Sequence, residues 1–184
     1  MEKSRVKREG VSAATLTKIG ICIALLCVSS YISIPIPFSP APITAQTVII
    51  NLIAIILLPK EAFFAVLGYI LLGICGLPVF SGGQSGIGKI LGPSGGYIIG
   101  YLVAAVLMSF ILRKMENKIR NYLLITILVG IPVIYACGVV TMSLYVGKGL
   151  WAIMSTSVIP FLPGDICKCI VGSYLGYALR KRLK

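Results

Sequence analysis

Long apolar runs make up most of the chain, and the breaks between them are short and rich in proline, glycine or basic residues. The pattern predicts an all-α protein of six helices, at about residues 15–34, 44–58, 62–76, 96–112, 122–146 and 163–179. Pro35, Pro37, Pro40 and Pro42 forbid continuation of the first helix and predict an ordered loop. Pro59-Lys60 closes the second helix, and a glycine-rich connection over residues 77–95 separates the third from the fourth. Several of the runs are long enough to span a bilayer.

Composition strengthens that picture. The 184 residues are 58% hydrophobic and 12% charged, where soluble domains carry roughly 25% charged residues. The expectation is one multi-pass membrane domain over residues 15–180, between a basic cytoplasmic N-terminus at 1–14 and a basic cytoplasmic tail at 181–184. There is no room for an appended soluble catalytic domain. The basic start runs into an apolar stretch too long for a cleaved signal, so it reads as a retained first span.

The net charge of +12 points toward nucleic acid only until its distribution is considered. With six spans, fourteen of the 17 basic residues fall on one side: Lys3, Arg5, Lys7, Arg8, Lys18, Lys60, Arg113, Lys114, Lys118, Arg120, Arg180, Lys181, Arg182 and Lys184. Lys89 and Lys148 fall on the other side, and Lys168 lies within a span. That asymmetry places both termini in the cytoplasm. The charge therefore reports membrane topology, and nucleic acid is not an expected partner.

Several chemistries are disfavoured. The chain has no histidine, so neither a Cys–His nor a Ser–His nucleophile can be assembled. Its six cysteines, Cys22, Cys27, Cys75, Cys137, Cys167 and Cys169, lie in apolar runs without a CxxC pair, which reads as small buried hydrophobes rather than a metal site or disulfide framework. No Walker motif is present, and Lys89 is followed by Ile90 rather than Ser or Thr, so ATP hydrolysis must come from elsewhere. No cofactor is expected.

Asp165 is the one acidic residue within an apolar segment, and Lys168 follows at helical i+3 spacing on the same face. Facing lipid, each charge would cost at least ~2.5 kcal/mol near the bilayer centre. The two should therefore face each other or a polar cavity. Position in the first turn of the last helix stabilises the carboxylate and puts it near the outer interface. A purely structural ion pair is the plain alternative. The connection over residues 77–97 holds seven glycines and one charge. Irregular backbone of this kind is tolerated at membrane depth where it is buried or lines a cavity. Gln84, Lys89 and Tyr97 are its candidate contacts, and a flexible outer loop is the plain alternative. The proline loop is either a spacer or a lid, with Thr44 and Gln46 leading from it into the second helix. On the first helix, Gly20-x-x-x-Ala24 with Val28 beyond it forms a stripe suited to close helix approach, whether internal or with a partner.

Four segments, Pro42-Ile43-Thr44-Ala45-Gln46-Thr47, Gly76-Leu77-Pro78-Val79-Phe80-Ser81-Gly82-Gly83, Leu91-Gly92-Pro93-Ser94-Gly95-Gly96-Tyr97 and Phe161-Leu162-Pro163-Gly164-Asp165-Ile166-Cys167-Lys168, resemble in order and spacing the BioY family. BioY proteins are the biotin-binding S components of energy-coupling factor (ECF) transporters. The resemblance implies a six-helix protein of the cytoplasmic membrane that binds biotin from outside, with a transmembrane T component and a pair of cytoplasmic ATPases as partners. It implies biotin contacts at Asp165 and Lys168, with Gln84 as the nearest match to a further polar contact. It also implies a T-component contact at Gly20 and Ala24, where Val28 departs from the family's small residue. Biotin's groups suit these side chains. Asp165 can accept from the ureido N–H groups, Lys168 can donate to the ureido oxygen, and Gln84 can satisfy what remains. Lys89 is a candidate for the valerate carboxylate, and Tyr97 and Phe80 for packing the apolar ring. The competing readings are an autonomous secondary carrier using Asp165 as an ion site, an S component for another small vitamin, and, least supported, a membrane enzyme.

Overall fold

The computed structural model describes residues 12–36, 39–147 and 149–182. Lys3, Arg5, Lys7, Arg8, Pro37, Lys148 and Lys184 lie outside the described residues, as does nearly all of the expected N-terminal segment. The architecture is mostly helical. Helix α1 (Ala13–Ser29) starts at Ser12, whose hydroxyl accepts from the Thr15 amide at 3.2 Å. It ends five residues before the sequence suggested. The Ser29 and Ser30 hydroxyls donate back to the carbonyls of Leu26 and Cys27 and satisfy that end.

The proline stretch, expected as an ordered loop, forms a two-stranded hairpin. Strand β1 (Ser33–Ile36) pairs antiparallel with β2 (Ser39–Thr44), matching Ser33 with Thr44 and Ile34 with Ile43, with an irregularity before Ile36. A two-stranded ribbon consists only of edges, so prolines are tolerated at positions that owe no ladder hydrogen bond. The Ala45 amide donates to the Ile32 carbonyl at 3.1 Å and closes the base.

Helix α2 (Gln46–Ile56) runs through the centre, with Ile50, Ile53, Ala54 and Ile55 fully enclosed. Helix α3 (Pro59–Ile74) follows, its start capped by Glu61, whose carboxylate accepts from the Leu58 amide at 2.9 Å. The glycine-rich connection is ordered. The Phe80 amide donates to the Gln84 carbonyl at 2.9 Å, and Gly82 and Gly86 donate to the carbonyls of Ser30 and Gly73. Gly82 and Gly83 take φ of 75° and 71°, which a side chain would disfavour. A short helix α4 (Ile87–Leu91) leads into α5 (Gly95–Arg113).

The single helix expected at 122–146 is α6 (Ile119–Ile125), a π-helical turn (Thr126–Gly130) and α7 (Ile131–Val146). Pro132 has no N–H and its ring crowds the preceding turn, so the ladder widens and the Ile131 amide reaches back to the Thr126 carbonyl. Helix α8 (Leu150–Ser157), which the apolar pattern did not reveal, precedes α9 (Leu162–Arg182). The segments Trp151–Ser157 and Leu162–Arg182 together are apolar enough to cross a membrane, bent by 57°. Gly95–Arg113 and Ile119–Val146 are each long and apolar enough to cross a membrane, while Ala13–Ser29 and Gln46–Ile56 are apolar but shorter. Side chains such as Phe64, Phe110, Leu128 and Leu175 point outward, as on a surface solvated by lipid. Helix α9 lies tight against α2 because Gly172 and Gly176 present no side chain: a Cβ there would come within 3.0 Å of the Val48 carbonyl and 2.7 Å of Ile55.

Candidate functional site

The bend between α8 and α9 carries the Asp165–Lys168 pair into a cleft with about 50 Å³ of free space. Backbone bonding shows how it gets there. The Leu162 amide donates to Val158 and the Asp165 amide to Phe161, so α9 begins just before Asp165. Lys168 Nζ lies 2.7 Å from Asp165 Oδ1, and their side chains are 17% and 13% exposed. On the other oxygen, the Tyr135 hydroxyl of α7 donates to Asp165 Oδ2 at 2.5 Å. A carboxylate offers about four lone-pair positions. Two are taken, so each oxygen keeps room for one more donor. Lys168 likewise keeps N–H groups beyond the one given to Asp165.

Further wall comes from the hairpin and the start of α2. Thr44, at the end of β2, lines the cleft together with Tyr101 of α5. Gln46 donates to the Tyr69 hydroxyl at 2.5 Å, and the Tyr69 ring meets Phe80 edge to face at 5.6 Å. Tyr97 stands edge to face with Tyr135 at 6.4 Å and donates to the Ser157 carbonyl at 3.4 Å. Its ring lies over Gly138 of α7, where a Cβ would collide with it. Ile98, Ile134 and Phe161 supply apolar wall.

Of the residues singled out from sequence, Asp165, Lys168, Tyr97, Thr44 and Gln46 meet in this cleft. Gln84 and Lys89 do not. They line a separate, more open groove with Gly88 and Tyr145, which meets the cleft at Ser94. Phe80 is fully enclosed in the core, where Gly73 makes room for its ring, so it supports Tyr69 from behind and does not line the cleft. Gly20, Ala24 and Val28 are exposed on one stripe of α1, with open space around Gly20, so the stripe does not serve internal packing. Cys22 and Cys169 are buried as expected, whereas Cys75 and Cys167 are exposed. Sequence reasoning missed Tyr135, Tyr101, Ser81 and Thr47. A tyrosine in an apolar run reads as core, and nothing in its spacing announces a carboxylate partner from another helix.

The BioY family model matches residues 2–184. The chain belongs to the BioY family. It is 34% identical over 169 residues to the biotin transporter BioY2 of Lactococcus lactis subsp. cremoris, covering 92% of this chain and 91% of that protein. It is 36% identical over 166 residues to the biotin transporter BioY of Thermotoga maritima, covering 90% and 95%. Among solved structures, the S-component for biotin from an ECF-type ABC transporter superposes with a TM-score of 0.85 at 32% identity, covering 91% of each chain.

The four segments that resembled BioY proteins are far apart in sequence, yet each contributes to one cleft. The first provides Pro42, Thr44, Gln46 and Thr47; the second Ser81; the third Ser94 and Tyr97; the fourth Phe161, Asp165 and Lys168. The fold of this BioY chain brings them together by three devices already described: the hairpin, the anchored turn at 80–84 and the bend before α9.

Proposed function

We propose that the chain is the substrate-specific S component of an ECF-type ABC transporter. In this reading it binds biotin in the cleft and takes it up across the cytoplasmic membrane. The observation that carries this is the carboxylate of Asp165, largely enclosed and held on both sides, with one acceptor position left on each oxygen. A cyclic urea presents N–H donors and a carbonyl acceptor. Asp165 accepts from the N–H groups through charge-assisted bonds, and Lys168 donates to the carbonyl. Tyr135 fixes the carboxylate orientation. Tyr97, Ile98 and Phe161 cover the apolar thioether ring. Gln84 and Lys89 lie in the adjoining groove, which suits Lys89 to the valerate carboxylate and moves Gln84 from the ureido end to the tail.

In this reading the six spans are α1, α2, α3, α5, α6 with α7, and α8 with α9. Both termini face the cytoplasm, as the basic clusters require. The cleft then opens outward, beneath the hairpin. The chain is not an enzyme: a T component and a pair of cytoplasmic ATPases supply the energy, and the exposed Gly20, Ala24 and Val28 stripe faces the T component. Two measurements test the proposal. Titration of the purified protein should show tight, saturable biotin binding and no response to unrelated vitamins. Vesicles holding this chain with T component and ATPases should accumulate biotin on ATP addition. Equal gradient-driven uptake by the chain alone would instead identify an autonomous carrier.

A further inference from the structure

Threonine hydroxyls in this protein's helices are ordinarily satisfied by the carbonyl one turn back. Thr126 donates to Tyr122, Thr141 to Cys137 and Thr156 to Ala152, all near 2.9 Å. Thr47 is different. Its Oγ1 is buried and, among the described residues, has no hydrogen-bond partner. The reason is positional. Thr47 is the second residue of α2, and the residue four back, Ile43, belongs to strand β2 rather than to a helical turn. The backbone therefore cannot supply the usual acceptor. An unpaired hydroxyl in an enclosed site is costly to keep, and a methyl of the same shape would remove the cost.

The surroundings say what the hydroxyl is for. Thr47 lines the cleft alongside Asp165 and Lys168. It also lines a small chamber beneath, with Asn51, Tyr135, Asp165 and Cys169, whose free space of about 10 Å³ takes no more than one water-sized group. The hydroxyl thus belongs to a residue that, like Asp165, borders both the cleft and the chamber. We propose that Thr47 is a specificity-determining residue: its hydroxyl hydrogen-bonds the cyclic-urea end of the ligand. The cleft would then select a ring that carries a ureido group over one of similar size and tail that lacks it. This rests on biotin being the ligand. A site whose polar groups are paired only by the right ligand rejects an analogue that leaves them unpaired.

The test compares wild type with T47V and T47S. Dissociation constants for biotin and for desthiobiotin, which keeps the urea but lacks the sulfur bridge, are measured alongside ligand-free melting temperatures. Lipoate, with a sulfur ring and the same tail but no urea, serves as competitor. T47V should weaken biotin and desthiobiotin alike by about tenfold, the loss of one well-placed bond, while T47S stays within about threefold. Lipoate should compete no worse against T47V than against wild type. The ligand-free T47V protein should melt at or above the wild-type temperature, because it loses an unpaired polar atom. Unchanged biotin binding by T47V overturns the inference. So does a biotin loss accompanied by a lower ligand-free melting temperature, which would make the hydroxyl structural. Failure of the wild type itself to bind biotin would instead remove the ligand assignment on which the inference rests.

Discussion

The two ends of α2 are both polar inside an apolar bundle, and they are finished differently. At the C-terminal end the carbonyls of Ile56 and Leu57 are covered by the Arg113 guanidinium at 2.8 and 2.7 Å, and Ser109 adds a bond to Leu57 at 2.6 Å. These are the orphan carbonyls that any helix end leaves, and α5 supplies the donors. The N-terminal end opens on the cleft, where Gln46 is tied to Tyr69 but Thr47 is left unpaired. The C-terminal end has an unpaired atom too, Arg113 Nε, yet it borders none of the cavities described. The contrast separates a polar cluster that closes the fold from one that awaits a ligand. Unused bonding capacity matters only where there is space for something to use it.

That distinction is breakable by substitution. Arg113→Ala should cost the most stability, about 2–4 kcal/mol, since two charge-assisted bonds to buried carbonyls are lost. It should leave the biotin dissociation constant within about twofold. Urea or thermal unfolding in detergent, paired with titration, checks both halves. Asp165→Asn reverses the pattern. A charge-assisted bond to the ureido group becomes a neutral one, so affinity should fall by at least roughly tenfold while the protein still inserts. If Arg113→Ala abolished binding in a folded protein, the two ends of α2 would not be independent.

Much of this was legible in the sequence because lipid punishes polarity so heavily. Asp165 and Lys168 announced their pairing by i+3 spacing alone, and the glycines at 82, 83 and 86 announced an unusual backbone. The prolines announced a break after the first helix without placing its end or revealing a hairpin, since strand pairing depends on a partner segment that periodicity does not name. Helix α8 stayed hidden because eight residues before a proline carry too little pattern. The places of Phe80 and Gln84 were hidden for a related reason. Their chemistry suited a ligand, but which wall each side chain meets depends on the turn at 80–84, where one bridge between Phe80 and Gln84 turns one residue into the core and the other out to a groove. Tyr135 was invisible because its partner lies thirty residues away on another helix.

Tyr135→Phe should sharpen the cleft end of the comparison more gently. Removing the hydroxyl frees Asp165 Oδ2 and lets the carboxylate rotate without emptying the site. A loss of about 1 kcal/mol in biotin affinity, several-fold in dissociation constant, is expected from one hydrogen bond. Titration of the folded variant checks it, and a loss as large as that of Asp165→Asn would mean that Tyr135 touches the ligand itself.

The smallest effect on binding should come from the exposed stripe of α1, and that smallness is the point of the test. A side chain added at Gly20 meets nothing within 4 Å, so Gly20→Leu creates no internal clash. It should raise local helix stability by up to ~1 kcal/mol, because glycine is a poor helix former. The cleft lies elsewhere, and biotin affinity should stay at the wild-type value. Close approach of a T-component helix, however, needs small residues on the stripe. Biotin uptake by the assembled transporter should therefore drop several-fold, with the variant recovered in smaller yield when the complex is purified through its ATPases. If uptake and assembly stayed at wild-type levels, the stripe would be lipid-facing, and the T component would have to dock on another face of the bundle.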